Sequence, residues 1–340
     1  GSRSLAVVLM LVRERSSMTK VSAVICTFNE EHNVPDLIAS LQGADEIILA
    51  DDGSTDKTKE LAEALGAKVM RRKDWSTTAT ENEVVTFCNR FGWKPRFVAG
   101  SKIGNGGALR TEALSFAKND WVVMPDADER ITWDLNAMEP LFDQYDQITC
   151  DFVHSHNADG SPVRVSTITK LFRKSVSKID GRIHDVLLPT NRMVYTNKMR
   201  IDHWQKPNAV DASGNPVHSQ SSVLPIMEYS VIEKNDLRSR FYLGREYYYY
   251  HEYDKAIRLL DEYLKDANWV VEIGHAHLYK ARCYWESMRG DEARAECLEA
   301  IKINPDHKEA LSLYSEMHFE PWKSKWKFIA DNATEKDILF

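Results

Sequence analysis

The sequence predicts an α/β domain built on a mainly parallel sheet, followed by an all-helical repeat domain. Three observations carry this. Short apolar runs alternate with helix-patterned segments as far as about residue 125. Acidic, turn-forming stretches follow three of those runs, and from about Asp236 onward the chain reads as helix after helix with an internal repeat. The expected organisation is residues 18–235 for the α/β domain, 236–320 for the repeats and 321–340 for a tail. Residues 1–17 read as an expression scar or disordered lead, with Met18 as the natural start.

VSAVIC (21–26) is a β-branched, continuously apolar run and EIILA (46–50) is a second, with helical NVPDLIASLQG between them, which makes a β-α-β unit. TDKTKELAEALG (55–66) reads as a helix capped by Thr55 or Asp56 and stopped by Gly66, and AKVMRR as the strand after it. GALRTEALSFAKN is the next helix and WVVMP (121–125) the next buried strand. Residues 73–107 match no regular pattern. In the helical part, Gly244, Tyr247, Ala256 and Leu260 occupy positions 8, 11, 20 and 24 of a tetratricopeptide unit. Ala281, Tyr284, Ala293, Ala300 and Pro305 occupy positions 8, 11, 20, 27 and 32 of a second, and a degraded third begins near Lys308. Tyrosines 247–250 read as core and inter-helix packing.

With 43% hydrophobic and 28% charged residues in 340, the chain is a globular protein able to bury a large core without staples. Five cysteines lack any CxxC pairing, which points to reduced thiols in a cytoplasmic protein. The apolar run Leu5–Val12 is far short of a membrane span, so no transmembrane segment is expected. The net charge of −7 argues against a protein that coats nucleic acid. Residues 164–206 are nonetheless basic, with ten lysines or arginines and three aspartates.

CTFNEE (26–31), ADDGSTD (50–56) and PDADER (125–130) each follow a predicted strand, so all three should line one edge of the sheet, where α/β folds place their ligands. Carboxylates gathered on one edge repel each other unless a cation lies among them. A divalent metal holding a diphosphate meets that need, since Mg²⁺ and Mn²⁺ favour carboxylate, water and phosphate oxygens. Taken singly, DDGSTD also reads as a turn into a capped helix, and DADE as a solvated loop.

CTFNEEHNV, EIILADDGSTDKT, the helix with Leu109-Arg110 and DWVVMPDADER together resemble family 2 glycosyltransferases of the GT-A (Rossmann-like) fold, in the bacterial and phage type with C-terminal tetratricopeptide repeats. The resemblance implies that Thr27, Asn29 and Glu30 border the base and ribose of a nucleotide-sugar, and that Asp52, with Asp51 beside it, accepts hydrogen bonds from them. Asp126 and Asp128 stand as the D-x-D signature, Asp128 as the direct metal ligand and Asp126 nearer the ribose or behind the metal. GRIHDVLL resembles the element bearing the general base, here Asp185, and RIDHW the segment whose His203 completes a Mn²⁺ or Mg²⁺ site. Asp185 and Thr111 depart from the usual Glu and Asn. Lys102 and Arg110 could add positive charge at the diphosphate, and the glycines of KIGNGG could let backbone approach a phosphate.

The resulting expectation is a metal-dependent, inverting glycosyltransferase, a hexosyltransferase using a UDP-sugar in preference to other donors. The basic segment favours an anionic acceptor: an acidic glycan, with hydroxymethylated DNA of the phage kind or a peptide presented by the repeats as alternatives. A different class also fits, an inactive nucleotide-binding scaffold whose repeats bind a peptide. The histidines of HSHN (154–157) and His184 have less claim on the chemistry, and Trp204 reads as a sugar platform or a packing residue.

Overall fold

A computed structural model describes residues 18–71, 73–157, 159–183, 185–204, 220–234, 237–318 and 321–333. The expected scar at 1–17, His184 and the end of the tail lie outside the described residues. The chain forms two compact units: it passes from the first into the second at Thr78, returns at Gly104 and leaves again after His218. The segment 78–103 and the helix from Gln220 therefore group with the repeats, where a single boundary near residue 236 was expected.

The first unit is a mixed sheet, parallel-dominant, with strand order β3-β2-β1-β6-β9-β8-β12-β7. β1 (Val21–Thr27), β2 (Glu46–Asp51), β3 (Lys68–Arg71) and β6 (Trp121–Val123) pair in parallel. β9 (Pro162–Arg173) runs antiparallel to β6 and to β8 (Gln147–His156). β12 (Met193–His203) lies parallel to β8 and antiparallel to β7 (Glu129–Trp133). The apolar runs in β1, β2 and β6 have no polar alternation because both faces are covered. Val21, Ala23, Ile25, Leu49 and Val123 join one core with Leu37 and Ile38 of α1 (Val34–Ser40) and Met138 and Phe142 of α5 (Leu135–Gln144). Val24, Ile48, Ala50, Val122 and Met124 join a second core with Ala113 and Leu114 of α4 (Gly106–Ser115). Between β2 and β3 lies α2 (Thr58–Ala64), and Gly66 after it has φ +87°, a left-handed stop.

The chain enters the second unit within the short strand β4 (Thr77–Thr78), and that unit contains β5 (Lys102–Ile103), α3 (Glu81–Phe91) and α6 (Gln220–Glu233). Three helix pairs follow: α7 (Leu237–Tyr249) with α8 (Tyr253–Asp266), α9 (Val270–Glu286) with α10 (Gly290–Ile303), and α11 (Lys308–Glu316) with α12 (Trp322–Asn332). The repeat register shows in the packing. A Cβ at Gly244 would sit 2.9 Å from Leu260 Cγ, so glycine is required where α7 crosses α8. Ala281, Ala293 and Cys297 fill the matching space between α9 and α10.

Segment 78–103 joins this unit because it is aromatic. Phe87, Phe91, Trp93 and Phe97 pack edge to face or tilted on one another and on Tyr229 and Tyr247. Trp93 Nε1 donates to Tyr247 Oη (3.1 Å), which donates to buried Glu228 (2.7 Å). Tyr247 is thus core, and Tyr248 and Tyr249 pack on Tyr279, as expected of inter-helix tyrosines.

Candidate active site

Because β1, β2 and β6 are adjacent and parallel, Thr27, Asp51 and the chain after Val123 emerge at the same edge. Two loops lace together there. Asn29, at φ 54°, accepts from Thr55 N through Oδ1 (2.8 Å), while Asn29 N donates to Ser54 Oγ (2.9 Å). Glu30 N donates to Thr58 Oγ1 (2.7 Å), and the Glu30 carboxylate accepts from Asn33 Nδ2 (2.8 Å). Asp51 is buried and its carboxylate accepts from the amides of Gly53 (3.0 Å) and Ser54 (3.1 Å), so its first role is to hold the turn. Asp52, with its amide donating to Thr27 O (2.9 Å), is the exposed member of the pair. Thr27 Oγ1 is buried with no hydrogen-bond partner among the described residues.

The acidic stretch after β6 is balanced by cations from two other elements. Arg110, on α4, donates from Nη2 to Asp126 Oδ1 (2.5 Å) and from Nε to Asp185 Oδ2 (2.8 Å). Lys170, on β9, donates to Asp126 Oδ2 (2.7 Å) and lies 3.2 Å from Glu129 Oε1. Glu129 Oε2 accepts from Asp126 N (2.8 Å), closing the loop. Burial opposes charge on all of these groups. It is outweighed at Asp126 by Lys170 and then Arg110, which hold the carboxyl well below the usual range. At Lys170 burial is likewise outweighed, by Asp126 and Glu129, and at Arg110 by Asp126 and Asp185, so both cations titrate above their ordinary values. Glu129 goes the other way: burial, with Asp126 beside it, pushes its carboxyl up.

Asp128 turns from this cluster toward β12. Its Oδ2 lies 3.1 Å from His203 Nε2, and its carbonyl accepts from Trp204 N (2.8 Å). The pairing of Glu129 with His203 in the β7–β12 ladder sets that distance. The hydrogen bond to Asp128 raises the His203 imidazole above its ordinary value against the effect of burial. Among the described residues no group of three or more His, Cys, Asp or Glu is assembled that could hold a metal ion. A carboxylate oxygen beside an imidazole nitrogen is nonetheless a donor pair suited to Mn²⁺, with phosphate and water oxygens to complete it. Asp126 stands with the cations instead of with that pair.

The glycines of KIGNGG serve the fold. Gly106 N donates to Arg182 O (2.7 Å) and Gly107 N to Gly181 O (3.0 Å), at the hairpin of β10 (Ile179–Asp180) and β11 (Val186–Leu187) that carries Asp185. A Cβ at Gly107 would lie 2.4 Å from Gly181 O. These two amides are thus engaged by backbone carbonyls. Lys102, on β5, belongs to the second unit. His154 meets Ser166 Oγ (2.8 Å) and is lowered to about 4, by burial first and then by Arg164. Trp204 stacks flat on His156 at 4.3 Å, and His156 meets Asp202 at 2.8 Å.

Residues 22–75, which hold β1, β2, β3 and both laced loops, match the family described as Glycosyl transferase family 2. The match is confined to that N-terminal part of the first unit. The relatives agree with the family expectation. An uncharacterized glycosyltransferase of Rickettsia bellii is 27% identical over 194 residues, covering 53% of this chain and 56% of that protein. A TPR repeat-containing protein of Synechococcus elongatus is 27% identical over 161 residues, 46% of this chain and 32% of that one, in keeping with the repeats. The chain spans about half the length of the Rickettsia relative. Among solved structures, glucosyl-3-phosphoglycerate synthase of Mycobacterium tuberculosis, in complex with Mn²⁺, UDP and glucosyl-3-phosphoglycerate, is similar at 21% identity. That likeness covers 41% of this chain and 45% of that one, with a TM-score of 0.27.

Lys170 is the member of this acidic site that sequence reasoning missed. It sits in the basic segment 164–206, but nothing local distinguishes it from its neighbours. Only the β6–β9 pairing, with Met124 N donating to Lys170 O (2.9 Å), brings it behind the D-x-D loop.

Proposed function

We propose that this protein transfers a sugar from a nucleotide-diphosphate donor, in preference a UDP-sugar, to a hydroxyl of an anionic glycan or related acceptor, with Mn²⁺ or Mg²⁺ and with inversion. The observation that carries the reading is the meeting of Asp128 with His203 beside the Arg110, Asp126, Lys170 and Asp185 cluster, at the edge where the family 2 loops emerge. Asp128 and His203 would hold the metal, which when bound stabilises charge on the departing diphosphate. Asp52 and Glu30 border the nucleotide on loops fixed by Asp51, Asn29 and Thr58. Arg110 sits between the leaving-group side and Asp185, so it can neutralise diphosphate charge while orienting the base. Asp185 takes the acceptor hydroxyl proton as attack proceeds.

The test is donor hydrolysis and UDP binding by calorimetry, with Mn²⁺ and UDP-glucose. Wild-type protein should release UDP slowly, EDTA should stop it, and Asp128→Ala should bind UDP no better with Mn²⁺ than without. Mn²⁺-independent binding that survives Asp128→Ala would remove the metal assignment. Absence of binding for any common nucleotide sugar would favour the scaffold reading.

A further inference from the structure

The charges of the acidic edge do not sum to a site ready for a diphosphate. Asp126, Glu129 and Asp185 face Arg110 and Lys170 while Asp128 faces His203, and each of the two cations already rests on a carboxylate. The two cations stand on regular elements, Arg110 on α4 and Lys170 on β9. Asp126 stands on the loop between β6 and β7 and keeps 40% of its side-chain exposure, whereas Lys170 keeps 14% and Arg110 22%. The fixed partners are thus cationic, and the group between them is the one on irregular chain, the least buried of the three. Its two oxygens, one on each cation, occupy the place that two oxygens of a phosphate would take.

We infer that Arg110 and Lys170 together form a phosphate-binding pair for the donor's diphosphate, and that the Asp126 carboxylate fills the position between them until the donor arrives. The inference rests on the proposed donor class and adds to it Lys170, together with an exchange of one anion for another. Lys170 keeps Glu129 as a partner when Asp126 leaves, so the ammonium is not stranded. The exchange also accounts for Asp126 standing apart from Asp128 and His203: a D-x-D carboxylate held by two cations competes with the ligand instead of binding the metal in this state.

A merely structural Asp126 and a competing one predict opposite results. Inorganic pyrophosphate without metal, and UDP with Mn²⁺, are titrated calorimetrically into wild type, Asp126→Asn, Lys170→Met and Lys170→Arg, with a thermal melt of each. Removing the competing charge should tighten metal-free pyrophosphate binding by Asp126→Asn about tenfold or more. Lys170→Met should lose that binding and Lys170→Arg should retain most of it. If Lys170→Met does not fold, the Asp126→Asn arm decides. Pyrophosphate binding that is unchanged or weaker in a folded Asp126→Asn overturns the inference, even where wild type binds UDP with Mn²⁺. Failure of wild type to bind UDP with Mn²⁺ would instead overturn the donor reading, and this inference with it.

Discussion

Gly107→Ala tests the backbone clasp that brings Asp185 to Arg110. The added Cβ would lie 2.4 Å from Gly181 O, where real Cβ contacts stay beyond 3.0 Å, so α4 and the β10–β11 hairpin must separate by at least about 0.6 Å. Both sides of the clash are backbone, and no rotamer relieves it. Overpacking of this kind costs about 1–3 kcal/mol. Weakening the Gly106–Arg182 and Gly107–Gly181 hydrogen bonds, 2.7 and 3.0 Å, adds about 0.5–1.5 kcal/mol each. Alanine's better helix propensity returns up to about 1 kcal/mol. A net loss of about 1–6 kcal/mol follows, or roughly 2–24 °C in the melt of a unit this size. Gly160→Ala is the control: it has φ +81° and open space, and should cost about 1–2 kcal/mol. Thermal unfolding by circular dichroism and UDP release from UDP-glucose are read together, and Gly107→Ala should lower both. A Gly107→Ala protein that melts and hydrolyses donor like wild type would refute the clasp.

Other outcomes follow from the same chemistry. Asp51→Ala should destabilise the first unit by about 1–3 kcal/mol, since the Gly53 and Ser54 amides lose their buried acceptor, whereas Asp52→Ala should leave the melt unchanged and weaken UDP binding. Asp185→Asn should suppress transfer to an acceptor while UDP binding persists, which calorimetry and turnover separate. His203 titrates above its ordinary value because of Asp128, so its imidazolium contributes stability that is complete below the unfolded value and lost as pH rises through the raised one. Mn²⁺ competes with that proton, so Mn²⁺-dependent UDP binding should strengthen as pH rises through the same range, and His203→Ala should flatten the profile. In the second unit burial raises Glu228, so the folded form favours its proton and stability falls as pH rises from the ordinary carboxyl range through the raised value. Glu228→Gln should remove that dependence in a pH series of melts.

The order of strands and helices was legible in the amino-acid sequence because the pattern of burial is local. The continuous apolar runs at 21–26, 46–50 and 121–125 became strands covered on both faces, and the glycine and alanines at repeat positions 8 and 20 became helix crossings. The placing of CTFNEE, DDGSTD and PDADER at one edge followed from parallel topology alone. What the tertiary structure decided was how the charges divide. Asp51 and Asp52 are chemically alike and adjacent, yet one is sunk beneath two amides and the other is exposed. Asp126 and Asp128 are two residues apart, yet one faces Lys170 and Arg110 and the other His203. Lys170, 44 residues beyond Asp126, and the aromatic segment 78–103 likewise found their partners only through folding. Periodicity reports which face of an element is buried, but the sign of the field at a carboxylate depends on charges delivered by other elements, and their distance along the chain carries no information about their distance in space.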